Sequence, residues 1–321
     1  MFTVTIVIPV RPGMTPTALE RIARLEWPSV QLELLVAEGA NPSRQRNQAV
    51  QQARGEVIYF LDDDSLVAPD CLRRLQQHFS DPRVVAVGGP SLTPASDSRF
   101  QRAVGFLLGL PLASGGVRAR YRAFGKLRHT SERELILCNL AIRRERFLTC
   151  GGLDERLYPN EENELLDRLQ QEGGRFMHDP ELTVQRSQRP TVRAFVWQMF
   201  RYGRGRARQT RLAGPSGLMP FAPLGLLLYL FVLPFLAQSF WYLPLCVYSA
   251  GALCSGVWAV WQQRQAYLLL AVPVLLPLMH IANGAGLLAG FLLPLAQQPC
   301  YKDVDITVRS LSPAQPVSGE R

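Results

Sequence analysis

The chain has 321 residues, 47% hydrophobic and 19% charged, enough for one full domain and a further apolar region. Its six cysteines (Cys71, Cys138, Cys150, Cys246, Cys254, Cys300) form no CxxC pair and show no metal-ligand spacing, so they read as reduced packing residues. The net charge is +9, and six arginines between Arg193 and Arg211 carry much of it, just before strongly apolar sequence; that placement favours anionic lipid headgroups and argues against nucleic acid.

The amino terminus has no basic start and too short an apolar core for a secretory signal, so the first domain is expected in the cytoplasm. Thr3 to Val10 reads as a strand ended by the Arg11-Pro12-Gly13 turn. A helix follows with Thr15 as cap, Pro16 in its first turn and Leu19, Ile22 and Leu25 on one face. Glu33 to Ala37 is the second strand, with Glu38 and Gly39 at its end. Ser43 then caps a helix bearing Arg44, Arg46 and Asn47, and Gly55 closes it.

Val57 to Leu61 is a third strand, five apolar or β-favouring residues that run directly into Asp62, Asp63 and Asp64. Strand, helix, strand, helix, strand with right-handed crossovers gives a doubly wound, mostly parallel sheet. Ligands of such sheets bind beyond the carboxyl ends of the strands, where these acids lie. Three adjacent carboxylates repel one another, and a hard divalent ion such as Mg2+ or Mn2+ is their natural counter-charge; an acidic turn capping the next helix is the alternative.

Pro69 opens a helix with Leu72, Leu75 and Phe79 inward, and Val84 to Gly88 is another strand. Ala103 to Ala113 is apolar but too short to span a bilayer, and reads as a core or an interfacial helix. Gly115 to Arg146 is loop-rich and basic, a solvated surface or a site for an anionic acceptor. Glu161 and Glu162 open a helix with Leu165, Leu166 and Leu169 inward, a place suited equally to plain helix capping and to an active-site acid. None of the four histidines pairs at ligand spacing.

Beyond Pro190 a long basic helix carries Gln198 and Arg201 three residues apart, on one face and within reach of one ligand. Residues 218–237, 240–261 and 266–296 are apolar runs, predicted as about three transmembrane helices, the last kinked or split. The positive-inside rule puts Arg211 and the Arg264 loop in the cytoplasm and Gln238-Ser239 outside. With three spans the polar tail, 297–321, ends outside, and its last part is expected to be disordered.

TVTIVIPV, RQRNQAVQQARGEVIYFLDDDS, CNLAIRRERFLTCGGLDE, NEENELLDRL and QMFRYGRGR occur in this order, and together they resemble glycosyltransferase family 2 over residues 3 to 210. The resemblance is to the membrane-bound branch that includes succinoglycan-type exopolysaccharide glycosyltransferases. It implies an α/β GT-A domain over residues 1–211, including the basic amphipathic helix 190–211, and a membrane domain over 218–296. It further implies an inverting, metal-dependent hexosyltransferase using a nucleotide-diphosphate sugar. By match, Asp62 and Asp64 take the metal, while Pro9, Glu38, Arg46, Asp62, Asp63, Gln198 and Arg201 take the donor. The family's Glu-Asp pair falls on Glu161 and Glu162, making Glu162 the expected catalytic base and Glu161 the runner-up. Tyr202 stands where processive members carry tryptophan.

The implied setting is the inner (plasma) membrane, multi-pass, with the catalytic domain cytoplasmic. Expected partners are the donor, a lipid-linked or glycan acceptor and membrane lipids; other polysaccharide-synthesis proteins are candidates. The same residues suit two alternatives, a polyprenyl-phosphate glycosyltransferase and a non-catalytic GT-A partner of another synthase.

Overall fold

The computed structural model describes residues 2–25, 30–215, 217–294 and 305–311. In chain order the elements begin β1 (Phe2–Val10), α1 (Leu19–Ile22), β2 (Val30–Glu38), α2 (Pro42–Gln52), β3 (Val57–Leu61), β4 (Leu66–Val67), α3 (Cys71–Phe79) and β5 (Val84–Gly88). Then come β6 (Ser91–Leu92), α4 (Arg99–Leu108), α5 (Pro111–Ser114), β7 (Arg128–Thr130), β8 (Asn139–Arg143), α6 (Arg144–Thr149) and α7 (Glu161–Gln171). The chain continues with β9 (Arg175–His178), β10 (Val184–Gln185), α8 (Val192–Ala213), α9 (Ala222–Val232), α10 (Leu243–Gln263), α11 (Leu268–Leu292) and β11 (Thr307–Leu311). These elements divide between two compact units.

The first unit is built on an eight-stranded sheet in the order β11-β2-β1-β3-β8-β5-β9-β7. Strands β2, β1 and β3 run parallel, β5 pairs parallel with β9, and β11, β8 and β7 run against their neighbours. All five residues of β3 are buried, because this strand sits between two apolar layers. Val57, Tyr59 and Leu61 pack with α3 through Leu72 and Leu75, and Ile58 and Phe60 pack with Ala49, Val50 and Phe147. A two-sided burial of this kind explains the unbroken apolar run in the sequence.

Two helix starts differ from expectation. The first helix is a single turn, Leu19–Ile22, and it has no side-chain cap. Asn41, and not Ser43, caps α2: its Oδ1 accepts the Ser43 and Arg44 amides at 3.1 and 3.2 Å. Pro42 explains the shift of two residues, since proline is suited to the first helical position and puts the cap at Asn41, immediately before it. Ser43, now inside the helix, instead donates from Oγ to the Leu157 carbonyl at 3.1 Å.

The second unit comprises Thr93–Arg118 and Ser187–Gln297, with α4, α5 and α8–α11 as its described helices. Thr191 caps α8 by accepting the Ala194 amide. Glycines let α8 and α11 approach closely: a Cβ on Gly286 would lie 2.0 Å from the Phe200 carbonyl oxygen, and one on Gly203 2.0 Å from that of Asn283. Arg211 donates to the carbonyls of Gly290 and Leu293, at 3.1 and 2.6 Å, satisfying the end of α11.

Two of the three apolar runs form helices long and apolar enough to cross a membrane, Ser239–Gln263 and Leu268–Leu292. The run at 218–237 gives a shorter segment, Met219–Phe235, in which Pro220, Pro223 and Pro234 divide the helix into short pieces. The third run is one continuous helix despite Pro273 and Pro277. Leu253, Val257, Leu270, Val274 and Phe231 remain exposed, an apolar surface suited to lipid and costly in water.

The tail was expected outside the membrane, with its last part, from Ser310 onward, disordered. Part of it, Thr307–Leu311, instead forms β11 and pairs antiparallel with β2, from Thr307 opposite Glu38 to Leu311 opposite Leu34. The open edge of β2 supplies the hydrogen-bonding groups that organise it. Residues 312–321 lie outside the described part of the chain.

Candidate active site

Three neighbouring strands of the first unit end together. Pro9 lies opposite Ala37 and Val10 opposite Glu38, and the next strand, β3, delivers Asp62. Gln45 of α2 ties the first two ends, its Nε2 donating to the carbonyls of Val10 and Ala37 at 2.8 and 2.5 Å. Glu38 accepts the Gly13 amide on one oxygen and ion-pairs with Arg309 through the other, both at 2.8 Å.

The acidic turn is closed by Ser65. The Asp62 amide donates to Ser65 Oγ at 3.2 Å, the Ser65 amide to the Asp62 carbonyl at 3.1 Å, and Ser65 Oγ to the Cys138 carbonyl at 3.1 Å. The Asp63 carbonyl accepts from the Ala18 amide and Thr17 Oγ1, at 3.0 and 3.1 Å. Burial, followed by the charges of Asp64 and Asp62, raises the Asp63 carboxyl above its ordinary range, against the opposing effect of Arg186.

Arginines distribute these charges. Arg46, almost fully buried, approaches Asp62 Oδ1 at 2.6 Å with Nη2 and Glu161 Oε1 at 3.5 Å with Nη1. It thereby joins two acids 99 positions apart in sequence. On the other flank Arg186 donates from Nε to Asp64 Oδ1 at 2.7 Å and places Nη2 3.1 Å from Asp62 Oδ2. Arg120 Nη1 lies 3.5 Å from Glu162 Oε1, while Nη2 of the same guanidinium donates to the Asn163 side chain and the Glu132 carbonyl.

Glu161 and Glu162 stand at the first two positions of α7. Burial and the neighbouring Glu162 push the Glu161 carboxyl up to about 8, against the pull of Arg46. Among the described residues, Glu161 Oε2 and Arg46 Nε are buried without a hydrogen-bond partner. Such orphaned atoms are costly in a finished core and expected where a polar ligand docks. The loop before α7 is set by Asn47, which bonds both the amide and the carbonyl of Leu153 at 2.9 and 2.8 Å. Gly152 makes that contact accessible: its φ is +70°, and a Cβ there would lie 2.8 Å from Asn47 Oδ1.

Pro9, Glu38, Arg46, Asp62, Asp63, Asp64, Glu161 and Glu162 therefore all belong to the first unit. Gln198 and Arg201 lie on α8 in the second, where Gln198 donates to the Tyr202 hydroxyl at 2.9 Å. Sequence reading missed Arg186 and placed Arg120 only in a basic region, without its pairing to Glu162; an arginine in a basic loop and another after a two-residue strand carry no local signal of their partners.

Residues 17–146, which include the acidic turn and Arg46, match the model of glycosyl transferase family 2. This segment is a family 2 glycosyltransferase domain. Succinoglycan biosynthesis protein ExoA of Rhizobium meliloti is 29% identical over 262 residues, 77% of this chain and 74% of that protein. An uncharacterized Sinorhizobium fredii protein is 36% identical over 123 residues, 36% of this chain and 13% of that one. A solved mannosyltransferase from Pyrobaculum calidifontis, in complex with GDP-Man and Mn2+, aligns with a TM-score of 0.55 over 90% of this chain and 87% of that one. At 17% identity that likeness shows the fold, the GT-A arrangement of a mostly parallel sheet.

The domain's own residues offer a divalent ion a partial seat. Among the described residues no three His, Cys, Asp or Glu side chains are grouped to hold a metal. Asp62 is engaged by two arginines, but Asp64 is 44% exposed, and among the described residues Arg186 bonds it through Oδ1. One open carboxylate fits Mg2+ or Mn2+ when phosphate oxygens and water complete the shell, which is how magnesium commonly binds with nucleotides.

Proposed function

We propose that the chain is an inverting glycosyltransferase that moves a sugar from a nucleotide-diphosphate donor to a lipid-linked or polysaccharide acceptor in cell-surface glycan synthesis. The observation that carries this reading is the meeting of Asp62 and Glu161 on the Arg46 guanidinium, at 2.6 and 3.5 Å. It joins the acidic turn at the strand ends to the paired glutamates of α7. The ExoA likeness supports exopolysaccharide synthesis as the setting.

In this reading Glu38 and the end of β1 receive the nucleobase side of the donor, and Asp62 and Asp63 its ribose. A divalent ion held at Asp64 would neutralise the charge developing on the diphosphate leaving group. Glu162 accepts the proton of the acceptor hydroxyl as that oxygen attacks the anomeric carbon from the face opposite the diphosphate. One displacement of this kind inverts the configuration and needs no covalent nucleophile.

The test is nucleotide release by the detergent-purified full chain from UDP-, GDP- and dTDP-sugars, with Mn2+ or Mg2+ and then with chelator. Release from one donor, lost on chelation, is the expected result. Silence across the panel, in membranes containing native acceptors as well, would overturn the reading in favour of a non-catalytic partner.

The pairing of β11 with β2 supports a membrane arrangement of two crossings. A strand hydrogen-bonded into the sheet lies in the compartment of that sheet, so the chain crosses the bilayer an even number of times between α8 and residue 305. Two crossings, α10 and α11, satisfy this, and the Arg264 loop then lies opposite the glycosyltransferase domain. One arginine there is a small exception to the positive-inside rule beside the six of the α8 belt. With the domain cytoplasmic in an inner membrane, a carboxyl-terminal epitope is expected to stay protected from external protease in intact cells, while a site inserted at Arg264 is cut. External cleavage of the epitope would refute two crossings.

A further inference from the structure

Arg186 has no part in the mechanism above, yet it makes the shortest contact to Asp64. Its place is fixed by β10, in which Val184 pairs with Val67 and Gln185 with Leu66 of β4. Arg186 follows directly, beside the acidic turn, and its amide donates to the Leu92 carbonyl at 2.9 Å. From there the guanidinium reaches both outer carboxylates, Asp64 Oδ1 at 2.7 Å and Asp62 Oδ2 at 3.1 Å.

We propose that Arg186 is a lock on the acidic turn: its guanidinium bridges Asp62 and Asp64 in place of a cation, so that a divalent ion enters tightly only together with the donor's diphosphate. This rests on the donor reading above and adds a residue and an order to it. A divalent ion arriving alone competes with Arg186 for Asp64 Oδ1 and finds Asp62 Oδ1 already held by Arg46 at 2.6 Å. It gains one open carboxylate oxygen while losing part of a strongly held water shell. A diphosphate changes the balance on both sides. Its oxygens supply further ligands for the ion, and they are acceptors matched to a guanidinium fork. Arg186 is thus a positioning residue that exchanges carboxylate partners for phosphate. Linkage then requires nucleotide and ion to tighten each other by the same factor.

The experiment measures Mn2+ binding to the detergent-purified full chain by calorimetry or by the spin resonance of free Mn2+, first without nucleotide and then with UDP, GDP or dTDP. Wild type is expected to bind Mn2+ weakly alone and at least about tenfold more tightly with its nucleotide. Arg186→Gln is expected to bind Mn2+ alone about tenfold more tightly than wild type, and the nucleotide's enhancement is expected to shrink to the part supplied by direct ligation of the ion to phosphate oxygens. Arg186→Lys keeps the charge but replaces the two-pronged fork with a single ammonium, so it should shift in the same direction. It also carries the test if the glutamine variant does not fold.

Equal nucleotide-free Mn2+ affinity in wild type and both variants would overturn the lock. So would a lysine variant identical to wild type beside a shifted glutamine variant, because Arg186 would then act only as a charge through space. Absence of Mn2+ binding by wild type with every nucleotide would overturn the donor reading and the lock together, which separates the two failures.

Discussion

Glu162→Gln is expected to lower the rate of sugar transfer by about 10²–10⁴-fold, the usual worth of a positioned general base, with nucleotide binding retained. Glu161→Gln is expected to cost far less. The neighbours differ in environment: Glu161 is 3% exposed and its carboxyl is pushed up to about 8, chiefly by burial. Near neutral pH it therefore holds its proton and cannot accept another. Glutamine matches a protonated glutamate in shape and keeps a hydrogen-bond donor. Stability gives an independent reading of the same assignment. A carboxyl raised in the folded state stays protonated there while its unfolded counterpart ionises above about 4.3, so folding weakens as pH climbs from that value. The loss is complete once the pH passes about 8. Denaturation of Glu161→Gln from pH 5 to 9 should lack this component. If Glu161→Gln proves the more severe kinetic lesion, the base assignment is reversed.

The strand and its acids were legible in the sequence because Val57 to Leu61 is buried on both faces and five consecutive apolar side chains have nowhere else to go. The basic helix beyond Pro190 was legible for a similar local reason, a run rich in arginines and apolar residues without a further proline, and the structure sets its bounds at Val192 and Ala213. What escaped was set by partners distant in the chain. Arg186 meets Asp64 across 122 residues, through a strand only two residues long. Arg120 is a buried arginine inside a stretch that reads as a solvated surface or an anionic-acceptor site, and the carbonyls of Glu132 and Arg133, with Asn163 and Glu162, explain its burial. The edge strand β11 is half polar and weakly apolar, and what makes it a strand is the unpaired edge of β2. The three apolar runs were visible, but proline spacing within the first decided its short pieces.

Asp64→Asn is expected to remove chelator-sensitive transfer, a loss of at least about 10²–10³-fold in turnover, the scale set by removal of one transition-state electrostatic contact. The fold should survive, since Asp64 is 44% exposed and its salt bridge is to Arg186. Asparagine keeps one oxygen but loses the charge, so the seat for a hard cation weakens while Arg186 retains Asp62 at 3.1 Å. Asp62→Asn should fail differently. Its carboxylate is shared by Arg46 and Arg186, and Arg46 is almost fully buried, so neutralising Asp62 leaves that guanidinium, among the described residues, paired with Glu161, a group largely protonated near neutral pH. A buried charge deprived of its partner costs about 3–5 kcal/mol in the general case, and partial exposure of Asp62 reduces that figure here. Thermal melting in detergent, run beside turnover with Mn2+ and with chelator, separates the two acids. Asp64→Asn should melt near wild type with a rate indifferent to chelator, and Asp62→Asn should melt lower as well as turn over slowly. A chelator-sensitive rate near that of wild type in Asp64→Asn would remove the ion from Asp64, and with it the division of labour between the two aspartates.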